Sequence, residues 1–177
     1  TQPLEYWEDI WRQRPPTQVV ACLTTIPSRL PHLELTLKSL LAQNWALAKI
    51  RLHLPEYSQR EKTASVVPDN LRGREWLEVV TCPDYGPATK LIPAVLDLPG
   101  EQRILVVDDD MLYPASLTQH LLSHSQRYPD WVTCSSGFRA TWRCWRRWSG
   151  AGRSSCSAPA TASRCWPRFR NATASAS

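Results

Sequence analysis

An apolar run, Ile104-Leu105-Val106-Val107, ends in three consecutive carboxylates, Asp108, Asp109 and Asp110. A short Val/Ile/Leu run bounded by polar residues reads as a buried parallel strand. Such sheets bind ligands just beyond the carboxyl ends of their strands, so the acids fall where a ligand is expected. Three like charges repel one another, and a divalent cation bound by hard oxygen ligands, Mn2+ or Mg2+, would neutralise them. If the alternation of the strand continues, Asp108 and Asp110 project to one side and Asp109 to the other. One carboxylate can then hold a metal while another reaches a hydroxyl or a metal-bound water. The plain alternative is an acidic turn in solvent, or a helix cap ahead of Tyr113-Pro114.

Two further segments fall on loops after strands. Thr24-Thr25-Ile26-Pro27-Ser28-Arg29 combines hydroxyls, backbone amides and a guanidinium, a set suited to phosphate or a base; an ordinary turn with a solvated Arg is its bland counterpart. In Asp84-Tyr85-Gly86-Pro87-Ala88-Thr89-Lys90, Gly86 frees the backbone and Pro87 pre-sets a helix start. The first amides of that helix would attract an anion. Thr89 and Lys90 add a hydroxyl and an ammonium, and an ammonium in a first turn is unfavourable unless an anion faces it.

The elements that must position these loops follow from periodicity. Strands are expected at 18–24, 50–54, 76–81, 104–107 and 131–134, and helices at 31–43, 88–96 and 114–128, with a short helix at 58–65. Residues 1–17 read as a lead-in segment closed by Pro15-Pro16. Strand and helix alternate as in βαβ units, so the fold class is α/β with a mostly parallel central sheet flanked by helices. Parallel strands bring the three loops to one edge, where they supply a cation site, phosphate ligands and a polar lip.

Composition divides the chain near Phe138. All 16 acidic residues and 13 of the 21 basic ones precede Arg139, so residues 139–177 carry eight Arg and no acid. They also contain no Leu, Ile, Val, Met or Lys, and a segment without aliphatic residues cannot build an interdigitated core. Its bias is that of a GC-rich gene read out of frame. We therefore expect an α/β domain at 18–138 and a frameshifted or disordered tail at 139–177; the alternative is a true basic, Trp-containing segment for nucleic acid or an anionic surface. The acidic body offers no basic footprint, so nucleic acid is not an expected partner.

The ordered set of Thr24-Thr25-Ile26-Pro27-Ser28-Arg29, Asp84-Tyr85-Gly86-Pro87-Ala88-Thr89-Lys90 and Val106-Val107-Asp108-Asp109-Asp110-Met111-Leu112-Tyr113-Pro114 resembles the motifs of a bacterial-type, family 2-like glycosyltransferase with the A-type nucleotide-diphospho-sugar transferase fold. The resemblance covers residues 19–134, and three motifs in order are more specific than any one. It implies a nucleotide-diphosphate sugar donor, with a UDP-sugar favoured, and a D-x-D that binds Mn2+ or Mg2+ through Asp108 and Asp110. It further implies that Thr25, Pro27, Ser28, Arg29, Asp84, Gly86, Thr89, Lys90, Asp108 and Asp109 line the nucleotide sugar. The metal would act as a Lewis acid on the departing diphosphate, and the sugar would pass to an acceptor hydroxyl. In that family the general base and the acceptor site follow the D-x-D, where this chain carries its Arg/Ala/Ser tail, so no base is assigned and the acceptor is open.

A competing reading is a metal-dependent phosphohydrolase of the haloacid dehalogenase type, which also places D-x-D after a strand. That type wants Thr or Val where Leu112 stands, and uses its first strand rather than the fourth. Cys22, Cys82 and Cys134 sit in or beside expected strands without metal-ligand spacing, and read as small buried hydrophobes of a reduced, cytoplasmic compartment. No apolar run approaches membrane-spanning length; the start at Thr1 leaves room for an anchor upstream. His32, His53, His120 and His124 read as surface polar residues.

Overall fold

Leu4, Trp7 and Trp11 recur at helical spacing, and in the computed structural model, which describes residues 2–129 and 131–135, the lead-in segment forms α1 (Leu4–Gln13). The described residues fall into two units that divide after Gln119. In the first, Thr17 N–H and Oγ1 donate to the Ala46 carbonyl, Ala46 N–H donates to the Pro15 carbonyl, and the chain leads into β1 (Val19–Thr24), whose first five residues are all buried. Leu33, Leu37, Leu40 and Leu41 form the buried stripe of α2 (Leu33–Leu41), and the expected helix start at Pro31 belongs to a 3₁₀ stretch, Pro27–His32. Next come β2 (Lys49–Pro55), β3 (Tyr57–Ser58), β4 (Thr63–Ala64), β5 (Leu77–Cys82), α3 (Ile92–Asp97), β6 (Arg103–Val106) and α4 (Leu117–Arg127).

The short helix expected at 58–65 is instead a β3–β4 antiparallel hairpin, with Tyr57 opposite Ala64 and Ser58 opposite Thr63. Lys62 takes a φ of 55°, a left-handed turn conformation no helix accommodates. The continuous helix expected at 88–96 breaks into a 3₁₀ turn, Gly86–Lys90, followed by α3. Pro93 explains the break. A continuous helix would send the N–H of residue 93 to the carbonyl of Thr89, and proline has none. That carbonyl faces Nδ1 of His53 instead, at 3.0 Å.

All four principal strands are parallel, in the order β5-β2-β1-β6. The chain moves from β1 outward to β2 and β5, then returns through α3 to place β6 on the other side of β1. The topological switch therefore lies between β1 and β6. Thr24, Pro55, Cys82 and Val106 end at one rim, and the register pairs Thr24 with His53 and Cys22 with Val106. On one part of the core, Val20, Cys22 and Ala94 pack with Leu98 and Ile104, which seats α3 against the sheet.

Residues 131–134 form no strand. Val132, the segment's one aliphatic residue, is 93% exposed, and Cys134 is exposed rather than buried. One aliphatic side chain gives such a segment little apolar area to bury. In the second unit Tyr128 and Trp131 stack with ring centroids 5.3 Å apart. The expectations for 139–177 lie outside the described residues.

Candidate functional site

At the carboxyl rim of the sheet is a cleft of about 560 Å³, walled by the loops that follow β1, β2, β5 and β6. Its floor is set by the ends of the strands. Thr25 is buried, and its hydroxyl donates to Asp109 Oδ2 at 2.5 Å. Arg29 Nη1 donates to Asp109 Oδ1 and to Asp110 Oδ2, both at 3.1 Å. Thr36 on α2 donates to the Asp109 carbonyl at 2.8 Å. Asp109 is thus the inward member of the triplet, its side chain only 11% exposed, whereas Asp108 and Asp110 are more than half exposed.

Exposure of the triplet thus alternates as expected, with Asp109 alone turned inward, but Asp108 and Asp110 do not share one site. β6 ends at Val106, and Val107 is the last residue held against the sheet, its N–H bonded to the Cys22 carbonyl at 3.0 Å. Beyond it the backbone turns. Asp108 and Asp109 both face the cleft, and Asp110 with Asp109 lines a neighbouring depression beside His32 and Thr36. The backbone N–H of Asp108 donates to the Tyr113 hydroxyl at 2.7 Å, and burial pushes the Tyr113 phenol above its ordinary pKa.

The opposite wall is the turn 84–90. Asp84 accepts from the N–H of Gly86 and the N–H of Gln59, each at 2.7 Å, and Gly86 takes a φ of 61° that favours glycine. Thr89 is fully buried and its hydroxyl accepts from Tyr85 N–H at 2.9 Å, which closes the turn. Lys90 Nζ pairs with Asp108 across the cleft. The expected picture of Lys90 in the first turn of an anion-facing helix is corrected: α3 starts after it and has only six residues.

His53 is fully buried beneath this turn, not on the surface; His32, His120 and His124 are exposed. Its Nδ1 to Thr89 contact fixes the height of the wall. Burial, with the neighbouring Arg51 charge, holds the imidazole below its ordinary pKa, so it is neutral. Cys22 and Cys82 are free and buried, and desolvation pushes the Cys22 thiol up to about 12.

Nothing matches this chain among protein-family models, curated proteins or solved structures. The geometry of the cleft thus carries the functional argument.

Of the residues picked from sequence, the fold gathers Thr25, Arg29, Asp84, Gly86, Thr89, Lys90, Asp108 and Asp109 around the cleft. Pro27 and Ser28 do not line it; Ser28 N–H and hydroxyl bond to Glu61. The sequence reading omitted Ser58, Gln59 and Arg60 of the β3–β4 hairpin. The signal was present: β2 stops at Pro55, so the loop after it must reach the same rim as the other three.

Among the described residues no three His, Cys, Asp or Glu side chains converge as a metal cage. Arg29 and Lys90 already offset the charge of the triplet, so repulsion alone does not call for a cation. Mg2+-type ions, however, are commonly held by one or two carboxylates together with phosphate oxygens of a ligand. Asp108, half-exposed in the cleft, fits that role, whereas Asp110 lines the neighbouring depression, paired with Arg29.

Proposed function

We propose that this chain binds a nucleotide-diphosphate sugar, with a UDP-sugar favoured, and a divalent cation in the rim cleft, as the donor half of a glycosyltransferase. The observation that carries the reading is convergence. Three segments separated by dozens of residues in sequence meet at the carboxyl ends of parallel strands, beside the topological switch. Three basic side chains, Arg29, Arg60 and Lys90, and three acidic ones, Asp84, Asp108 and Asp109, line the cleft. Such mixed charge suits a cation and a diphosphate together better than a bare anion or a bare metal. The volume falls within the range of small-molecule sites.

In this reading Thr25, Arg29 and Asp109 form the rigid floor, and Asp84 shapes the turn that carries Lys90. Lys90 exchanges Asp108 for a phosphate oxygen when the ligand arrives, which frees the Asp108 carboxylate for Mn2+ or Mg2+. When bound, the cation supplies Lewis-acid stabilisation to the departing diphosphate. No helix among the described residues is long and apolar enough to cross a membrane, and the buried free thiols suit a reducing, cytoplasmic setting.

Calorimetric titration with UDP, with and without Mn2+, tests the proposal. Tighter binding with Mn2+ is expected, and Asp108→Ala should abolish the metal dependence and weaken UDP by about tenfold or more. Asp110→Ala should do less, because its carboxylate faces the neighbouring depression. Equal affinity with and without metal in the unaltered protein would reject the metal's role.

A further inference from the structure

The three cations of the cleft are not equivalent. Arg29 is held by Asp109 and Asp110, and Lys90 by Asp108. Arg60, also lining the cleft, makes no salt bridge or hydrogen bond with any described residue. Its electrostatic neighbour is Glu61, the next residue in the chain, and both oxygens of that carboxylate are engaged by the N–H and hydroxyl of Ser28. Arg60 is thus a cation in the cleft with its donors unclaimed.

Its backbone, by contrast, is fixed. Arg60 sits at the tip of the β3–β4 hairpin between two anchored neighbours. Gln59 N–H donates to Asp84 Oδ2 at 2.7 Å on the β5 side, and Glu61 is tied to Ser28 on the β1 side. Ser58, one residue further back, is 2% exposed and accepts from Glu61 N–H at 3.3 Å and, through its carbonyl, from Lys62 N–H at 2.8 Å. The tip therefore spans from one wall to the other. Only the side chain of Arg60 remains to be ordered, which lowers the entropic cost of using it.

We propose that Arg60 is the phosphate-gripping residue of the cleft, donating its guanidinium fork to phosphate oxygens of the bound nucleoside diphosphate. The inference rests on the nucleotide-sugar reading above and adds to it the ligand that distinguishes diphosphate from nucleoside. A planar fork of N–H donors matches phosphate oxygens bidentately, which an ammonium cannot reproduce. Arg29 and Lys90 must first give up carboxylates to do the same, whereas Arg60 need not. Nothing in the sequence reading marked this residue.

The test is titration of the full chain with UDP, uridine and inorganic pyrophosphate, each with Mn2+, in the unaltered protein and in Arg60→Ala and Arg60→Lys. We expect Arg60→Ala to weaken UDP and pyrophosphate by about tenfold or more and uridine little, with Arg60→Lys recovering part of the loss. Because Arg60 is exposed and unpaired, its thermal unfolding should match the unaltered protein. UDP and pyrophosphate affinities unchanged in Arg60→Ala would overturn the assignment while leaving the nucleotide reading intact. Pyrophosphate binding that depends on Arg60, without UDP binding, would sustain Arg60 as an anion ligand and reject the nucleotide. Binding of neither by the unaltered protein would overturn both.

Discussion

Adjacent aspartates in the triplet carry different loads. Asp109 accepts from Thr25 and Arg29 in a nearly closed environment, whereas Asp108 is more than half exposed and pairs with the partly buried Lys90. Removing Asp109 strands a buried hydroxyl and half the partners of a guanidinium, so Asp109→Ala should lower unfolding free energy by about 1–3 kcal/mol in urea titrations. Asp108→Ala should lie within about 0.5 kcal/mol of the unaltered protein, as surface ion pairs contribute little. The reverse order would show that the inward and outward roles are exchanged. At this scale the sequence set Asp109 apart from Asp108 and Asp110 but not which of them faces inward, because β6 ends before the first of them and the backbone then turns. His53 was equally illegible: its hydrogen-bond partner exists only because Pro93, forty positions on, lacks an N–H.

Elements were legible where a stripe or run had enough apolar residues to force burial. β1, β2, β5, β6 and the leucine face of α2 all lie close to their expected positions. The β3–β4 hairpin was not, because two-residue strands leave no periodicity to count and its anchors, Asp84 and Ser28, are distant in sequence. Nor is α1 among the expected elements, although Leu4, Trp7 and Trp11 keep helical spacing. Glu8 explains how such a helix is held. It is 7% exposed and accepts from Trp76 Nε1 at 2.6 Å and Arg74 at 2.9 Å, and Trp76 is fully buried just ahead of β5. Glu8→Ala would leave the buried Trp76 indole N–H without an acceptor and Arg74 with only Glu5 and the Asn70 carbonyl. It should cost about 2–4 kcal/mol of stability, with the fastest rise in hydrogen exchange along α1. Normal protection of α1 in that variant would show that the Trp11 to Leu47 bond, at 2.8 Å, suffices to hold it.

For the molecule as a whole, buried neutral groups define a window of pH. Folding holds His53 below its ordinary value and Cys22, Cys82 and Tyr113 above theirs, in each case chiefly by desolvation. Below the ordinary imidazole value of about 6.5, the unfolded chain binds the extra proton, so stability should rise with pH until His53 is neutral in both states. Above the ordinary thiol value of 9.0 the relation inverts: Cys22 keeps its proton in the fold up to about 12 while the unfolded chain releases it. Stability should then fall as pH rises, each group contributing at most about 1.4 kcal/mol per pH unit. Glu61, held below its ordinary value by the Ser28 hydrogen bonds, adds stability that is present above its unfolded value and lost as pH falls through the folded one. Urea unfolding from pH 4 to 10 should therefore trace a plateau between about 6.5 and 9. Cys22→Ala should soften the alkaline limb and leave the acid limb in place. An alkaline limb unchanged in that variant would mean that Cys82 dominates it, which Cys82→Ala would then reveal through the same titration.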